Sequence, residues 1–425
     1  MSVRAGIVVT GTEVLTGRVI DRNGPWVSER LGELGCEVAE IVCVADRPDD
    51  LRGALEFLRG GGLDLIVTTG GLGPTADDLT AEIVAAFAGR EMVLDEAMEK
   101  RISEIVAGFA RRMKFDPEGL RDGTRKQAMV PEGAIALDPA GTAPGLVVEA
   151  QGPVVIVLPG PPRELQAMWP AAIAAGPVAE VLSEADSYEV ETMKMFGIPE
   201  STLAKTLREI ERDIDLSPLE ITTCLRRGSE LEIDVRYRDT DLELRDSLFV
   251  AIRERHGSFI YTERGESIDA IVAGLLADRS IALGESCTGG LLAARITDLP
   301  GASAYFKGGV VAYSDRAKTD LLGVPADLVA SRGAVSPEVA EAMARGAMER
   351  FDAGLGVGIT GIAGPGGGTE KKPVGYVCIC VADADGNVLA RDPKLPGSRD
   401  DVRDRSASVA MHMIRRLLIG EDLPL

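Results

Sequence analysis

Histidine is nearly missing: 425 residues contain two, His256 and His412. That inventory all but excludes a Ser-His-Asp triad. Cysteine is sparse and scattered, and Cys36, Cys43, Cys224, Cys287, Cys378 and Cys380 show neither CxxC spacing nor dense pairing. A disulfide framework or a zinc site is therefore not expected, and a reducing cytoplasmic compartment is. Basic charge is also in deficit, with 46 Lys and Arg against 67 Asp and Glu, a net charge of −21 spread over all regions. Such a field repels nucleic acid and anionic lipid, so neither is expected as a partner. No run of about 18 apolar residues occurs, and Arg4 leads directly into the short run Ile7 to Thr10, so neither export nor membrane insertion finds support.

Glycine and proline are plentiful, at 49 and 23, while aromatics make up 4%. This composition suits an α/β protein with many tight turns. The length implies two or three domains. Residues 3 to 170 alternate β-branched runs (Ile7 to Val9, Ile41 to Val44, Leu65 to Val67) with helical patterns (Trp26 to Leu34, Leu51 to Leu58, Leu79 to Phe87). That order predicts a parallel sheet with helices on both faces. Two alternating runs, Leu219 to Leu225 and Leu231 to Tyr237, flank a hairpin turn at Arg226-Arg227-Gly228-Ser229, and helical patterns surround them. The expectation is two α/β domains, 1–172 and 263–425, joined by a small α+β module over 173–262.

The most informative stretch is Gly284-Glu285-Ser286-Cys287-Thr288-Gly289-Gly290, between the apolar run Ser280 to Leu283 and the amphipathic run Leu291 to Thr297. It reads as a serine at a strand-to-helix turn, where unpaired N–H groups hold a phosphate or a developing oxyanion. An acyl-transfer nucleophile requires that setting. Cys287 is a rival nucleophile, and spacing alone does not choose between the neighbours. With histidine scarce, the base falls to a lysine kept neutral by burial or by nearby positive charge. Lys318 is the candidate, one helical turn beyond Tyr313, whose hydroxyl would relay a proton or orient the base. The plainer alternative is a solvated lysine beside a rim aromatic.

A glycine-rich turn, Thr360 to Gly368, follows the apolar run ending at Ile359 and lets backbone approach a ligand, although most such turns are only turns. Arg399, just before the last helical pattern, offers a guanidinium to a phosphate or is an ordinary exposed arginine. In the first third, Gly70-Gly71-Leu72-Gly73 is able to cradle phosphate. Asp77 and Asp78 there either hold a hydrated Mg²⁺ or simply cap a helix.

Glu285 to Gly290, Tyr313-Ser314 with Lys318, Gly333 to Ser336, Gly361 to Pro365 and Lys372 to Gly375 together resemble the C-terminal domain of the CinA family. The resemblance implies hydrolysis of nicotinamide mononucleotide to nicotinate mononucleotide and ammonia, without a cofactor. It implies Ser286 as nucleophile, Lys318 as base, Tyr313 as an assisting hydroxyl and Arg399 as a substrate contact. Thr288, Gly289, Gly290, Thr360, Gly361 and Gly364 join them as substrate-binding positions. Thr10 to Leu15, Thr69 to Thr75, Asp77 to Thr80, Gly141 to Gly145 and Leu158 to Pro162 are similar to the molybdopterin-binding MoaB/MogA-like domain of full-length CinA proteins. Its implied site is Glu13, Gly70, Gly71, Gly73, Asp77 and Asp78, with Asp78 on Mg²⁺ or another divalent cation, and the middle module is expected to be KH-like. Some family members cleave ADP-ribose there; Ala76 stands where the family pattern carries histidine, which ranks that activity below deamidation. A non-catalytic pterin- or nucleotide-binding role is the third alternative. The resemblance further implies a homodimer acting on a small nucleotide.

Overall fold

The computed structural model describes residues 3–110 and 117–420 and divides into two compact units, Met1–Glu189 and Val190–Leu425. In the first, the strand Arg4–Thr10 is apolar on both sides, as a sheet covered on both faces requires. Its side chains alternate between two cores. Ile7 and Val9 meet Val27, Leu31 and Trp169, whereas Val8 meets Leu55, Leu58 and Val84.

The parallel order runs Glu37–Val44, Arg4–Thr10, Leu65–Thr69, Val154–Leu158. The sheet is not parallel throughout, contrary to expectation. Gly145–Glu149 pairs antiparallel with Val154–Leu158, and Ile135–Leu137 antiparallel with Gly145–Glu149. The connection 150–153 is too short for a crossover, and only an antiparallel return fits it. Among the described residues no single helix is long and apolar enough to cross a membrane. Pro162–Ile173 and Gly176–Ser183 approach that apolarity only as a pair bent by 72°, and Leu165, Met168, Trp169 and Val178 spend it on the core.

The second unit holds two sheets. Its four-stranded sheet runs Glu220–Leu225, Glu230–Tyr237, Glu189–Phe196, Ile260–Thr262. The helices Glu200–Ile210 and Leu242–His256 pack on it through Leu203, Ile210, Leu248 and Ile252. The five-stranded sheet runs Phe306–Val311, Ile281–Glu285, Leu355–Gly361, Val377–Asp383, Val388–Arg391, parallel over the first three strands and antiparallel over the last two.

Ile268–Leu275, Leu291–Thr297 and Arg399–Ile419 cover one face of that sheet, and Asp315–Leu322 and Pro337–Phe351 the other. Side chains of Ser267, Ser314, Ser336 and Ser398 cap four of these helices, which fixes where each begins. Pro337–Phe351 lies so close to the sheet that a Cβ on Gly358 would overlap the Ala340 carbonyl. Three of the five strands thus end, at their C-terminal edge, beside the helix starts that carry the candidate groups.

Candidate active site

Ser286 follows the strand Ile281–Glu285 without a break, its N–H donating to Ile359 O at 2.9 Å. Lys318 reaches it from across the turn. Ser314 caps the helix Asp315–Leu322, which aims the fourth residue of that helix inward, and Lys318 is only 2% exposed. Its Nζ lies 3.1 Å from Ser286 Oγ and donates to Ala312 O at 3.0 Å. Burial pulls the amine below the ordinary lysine value, while the Asp315 carboxylate and Cys287 pull weakly the other way. Burial, rather than a neighbouring cation, is what favours the neutral form. Cys287 is 5% exposed, and burial pushes its thiol up to about 12. At neutral pH that sulfur is a protonated thiol.

The pair opens into a cleft of about 270 Å³, just under the range of about 300–1,000 Å³ common for small-molecule sites. Tyr313, Asp315, Thr360, Gly361, Gly364 and Arg399 line it. Thr360 Oγ1 donates to Ala334 O at 2.8 Å and anchors the glycine-rich turn. Arg399, first residue of the last helix, donates to Gly364 O and to the Tyr313 hydroxyl, each at 2.7 Å. Five guanidinium donors leave others for a ligand. Tyr313 is 60% exposed, and its hydroxyl bonds Arg399 rather than Lys318. The expected contact between that hydroxyl and the base is absent from this arrangement.

Thr288, Gly289 and Gly290 do not line the cleft. The expectation that their N–H groups face a ligand requires correction. Gly289 N–H donates to Ser286 O at 3.0 Å. Glu285 folds back over the helix start, and its carboxylate accepts from Gly290, Leu292 and Ala293 N–H at 3.0, 3.2 and 2.9 Å. The positive end of Leu291–Thr297 is thus neutralised from within. Glu285 was overlooked in the sequence, where no local signal marks this role: it stands six residues ahead of Leu291 and is not of a type preferred at an N-cap. Arg403, also overlooked, donates to Thr288 O at 3.0 Å, one turn into the last helix.

In the first unit, Gly71, Gly73 and Asp78 border a small cleft of about 20 Å³ with Lys126 and Gln127, and Glu13 is not among its walls. Gly70, at φ +104°, sits where a Cβ would overlap Thr10 O. Thr75 Oγ1 lies 2.5 Å from both the Asp77 and Asp78 carboxylates, with one proton to donate to either, and Thr75 N–H donates to Asp78 at 2.9 Å. Among the described residues no group of three or more His, Cys, Asp or Glu gathers to hold a metal. The two carboxylates close their own loop and do not fit an ion held by protein ligands alone.

Residues 266–418 match the family profile described as CinA C-terminal domain, and residues 6–176 the one described as probable molybdopterin binding domain. Fold and serine turn thereby define an α/β protein of the CinA class, as the motifs led us to expect. A CinA-like protein of Mycolicibacterium gilvum is 58% identical over 422 residues, covering 99% of this chain and 100% of its own. One of Mycobacterium tuberculosis is 53% identical over 425 residues, covering 99% and 98%. The chain belongs to the family of CinA-like proteins. Among solved structures, the competence/damage inducible protein CihA from Agrobacterium tumefaciens is 37% identical, with a TM-score of 0.34, over 35% of this chain and 94% of its own.

Proposed function

We propose that the chain is an amidohydrolase that converts nicotinamide mononucleotide to nicotinate mononucleotide and ammonia through Ser286 and Lys318. The observation that carries this reading is the 3.1 Å approach of a buried lysine amine to a serine hydroxyl at the mouth of a cleft walled by Arg399 and the glycine-rich turn. Neutral Lys318 takes the Ser286 proton as Oγ attacks the carboxamide carbon. The oxyanion falls to the N–H of Cys287, the residue after the nucleophile, and to N–H groups of Gly364, Gly366 and Gly367 in the turn that lines the cleft. The Lys318 ammonium then protonates the departing nitrogen, the C–N bond breaks, and ammonia leaves an ester on Ser286. Lys318, neutral again, takes a proton from the water that attacks this ester and returns it to Ser286 Oγ as the C–O bond breaks and the nicotinate carboxyl group leaves. Arg399 meets the 5′-phosphate with donors that Gly364 and Tyr313 leave free. Six free cysteines suit a reducing compartment.

Ammonia release from nicotinamide mononucleotide is the direct test. Ser286→Ala should lose at least about a thousandfold in kcat/KM, whereas Cys287→Ala should stay within about threefold, since a thiol held protonated gives no thiolate to lose. Wild-type turnover in Ser286→Ala would overturn the assignment.

A further inference from the structure

Buried charge joins the middle module to the serine–lysine domain. Arg295, in the last turn of Leu291–Thr297, grips Asp269 at 2.5 and 3.0 Å, donates to Ser408 Oγ at 2.7 Å and reaches Glu230 at 3.4 Å. Glu230 opens a strand of the middle module and is buried. Its second oxygen accepts from the Tyr261 hydroxyl at 2.9 Å, and its first lies 3.4 Å from His412 Nε2. The His412 ring stacks on Phe196 at 3.8 Å and meets Tyr261 edge-on at 4.8 Å. The hairpin presses in beside them, where a Cβ on Gly228 would overlap Ser408. A carboxylate from one module thus answers an arginine and an imidazole on two different helices of the other.

One of those helices starts in the cleft wall and the other starts a few residues beyond Ser286. Leu291–Thr297 begins directly behind Ser286, its start tied down by Glu285. Arg399–Ile419 begins with the arginine that walls the cleft, and its Arg403 holds Thr288 O. At 1.5 Å per residue, Arg295 stands roughly 6 Å from its helix start and His412 roughly 20 Å from Arg399. Helices are stiff over such lengths, so a shift at the Glu230 end is felt at Ser286 and Arg399.

We propose that Glu230 is a positioning residue for the serine–lysine site, holding the helix behind Ser286 and the helix that carries Arg399 in the relative placement the cleft requires. The substrate in its test rests on the amidase reading, whereas the geometry does not. Misplacing a reacting group by an ångström costs up to about a hundredfold.

Full-length Glu230→Gln, which keeps the shape and removes the charge, tests this. Two rates are measured: turnover of nicotinamide mononucleotide, and phosphonylation of Ser286 by a small fluorophosphonate, which needs nucleophile and base but no nucleotide. The substitution should lower kcat/KM about tenfold, with a higher KM as Arg399 shifts, and slow phosphonylation by a smaller factor. Tyr261→Phe removes only one hydroxyl and should move both rates the same way by about threefold. Val235→Ala, a cavity in the module's own core, should lower the Tm while sparing both rates. Wild-type rates in Glu230→Gln and Tyr261→Phe, or equal slowing in Val235→Ala, would overturn the proposal. A wild-type protein that is phosphonylated on Ser286 yet releases no ammonia would sink the amidase reading instead, and the phosphonylation rates would still decide the role of Glu230.

Discussion

Lys318 is asked to be two things at once, a buried side chain and a proton acceptor, and both show in its pH response. Below its depressed pKa the amine is protonated and useless to Ser286, so kcat/KM should climb with pH and level off before the ordinary lysine value of about 10.4. A flat profile across that range would deny Lys318 the role of base. The same burial leaves a mark on stability. The unfolded chain holds the proton that the folded chain gives up, so between the two pKa values stability rises with pH. Wild-type Tm should therefore gain on that of Lys318→Met as pH rises through this interval; parallel Tm profiles would show that burial does not perturb the amine.

The element that decides the site is the turn between the Ile281–Glu285 strand and the Leu291–Thr297 helix, and its integrity rests on Glu285, which is 2% exposed. Glu285→Gln offers an NH₂ to N–H groups that need acceptors, and should cost about 2 kcal/mol, or roughly 4–8 °C in Tm for a unit of this size. An unchanged melting curve would show the cap to be dispensable. The turn itself was legible, because two adjacent glycines between an apolar and an amphipathic run mark strand, turn and helix. The carboxylate filling the helix start was not, since a glutamate closing a strand reads equally well as solvent-facing. Lys318 was found by elimination of histidine. The Arg399–Tyr313 bond joins residues 86 positions apart, a pairing that no local pattern encodes.

At the scale of the molecule, repeating strand and helix signals exposed the architecture, while the helices Glu96–Ala110 and Pro117–Gln127 and several short strands escaped. Ile135–Leu137, and the pair Met92–Leu94 with Met129–Pro131, offer three residues each, too few for an alternation to register. The net charge of −21 sets a whole-molecule prediction. Distant carboxylates repel an anionic nucleotide over more than a Debye length, whereas Arg399 acts at contact, so raising salt from about 10 to about 150 mM should increase kcat/KM. A steady fall would mean that local attraction dominates. The last helix, finally, supplies the cleft with Arg399 and the turn behind Ser286 with Arg403. It is synthesised after both Ser286 and Lys318. A chain cut short before residue 399 would hold Ser286 and Lys318 yet lack both a wall of their chamber and the helix that covers one face of the sheet beneath them.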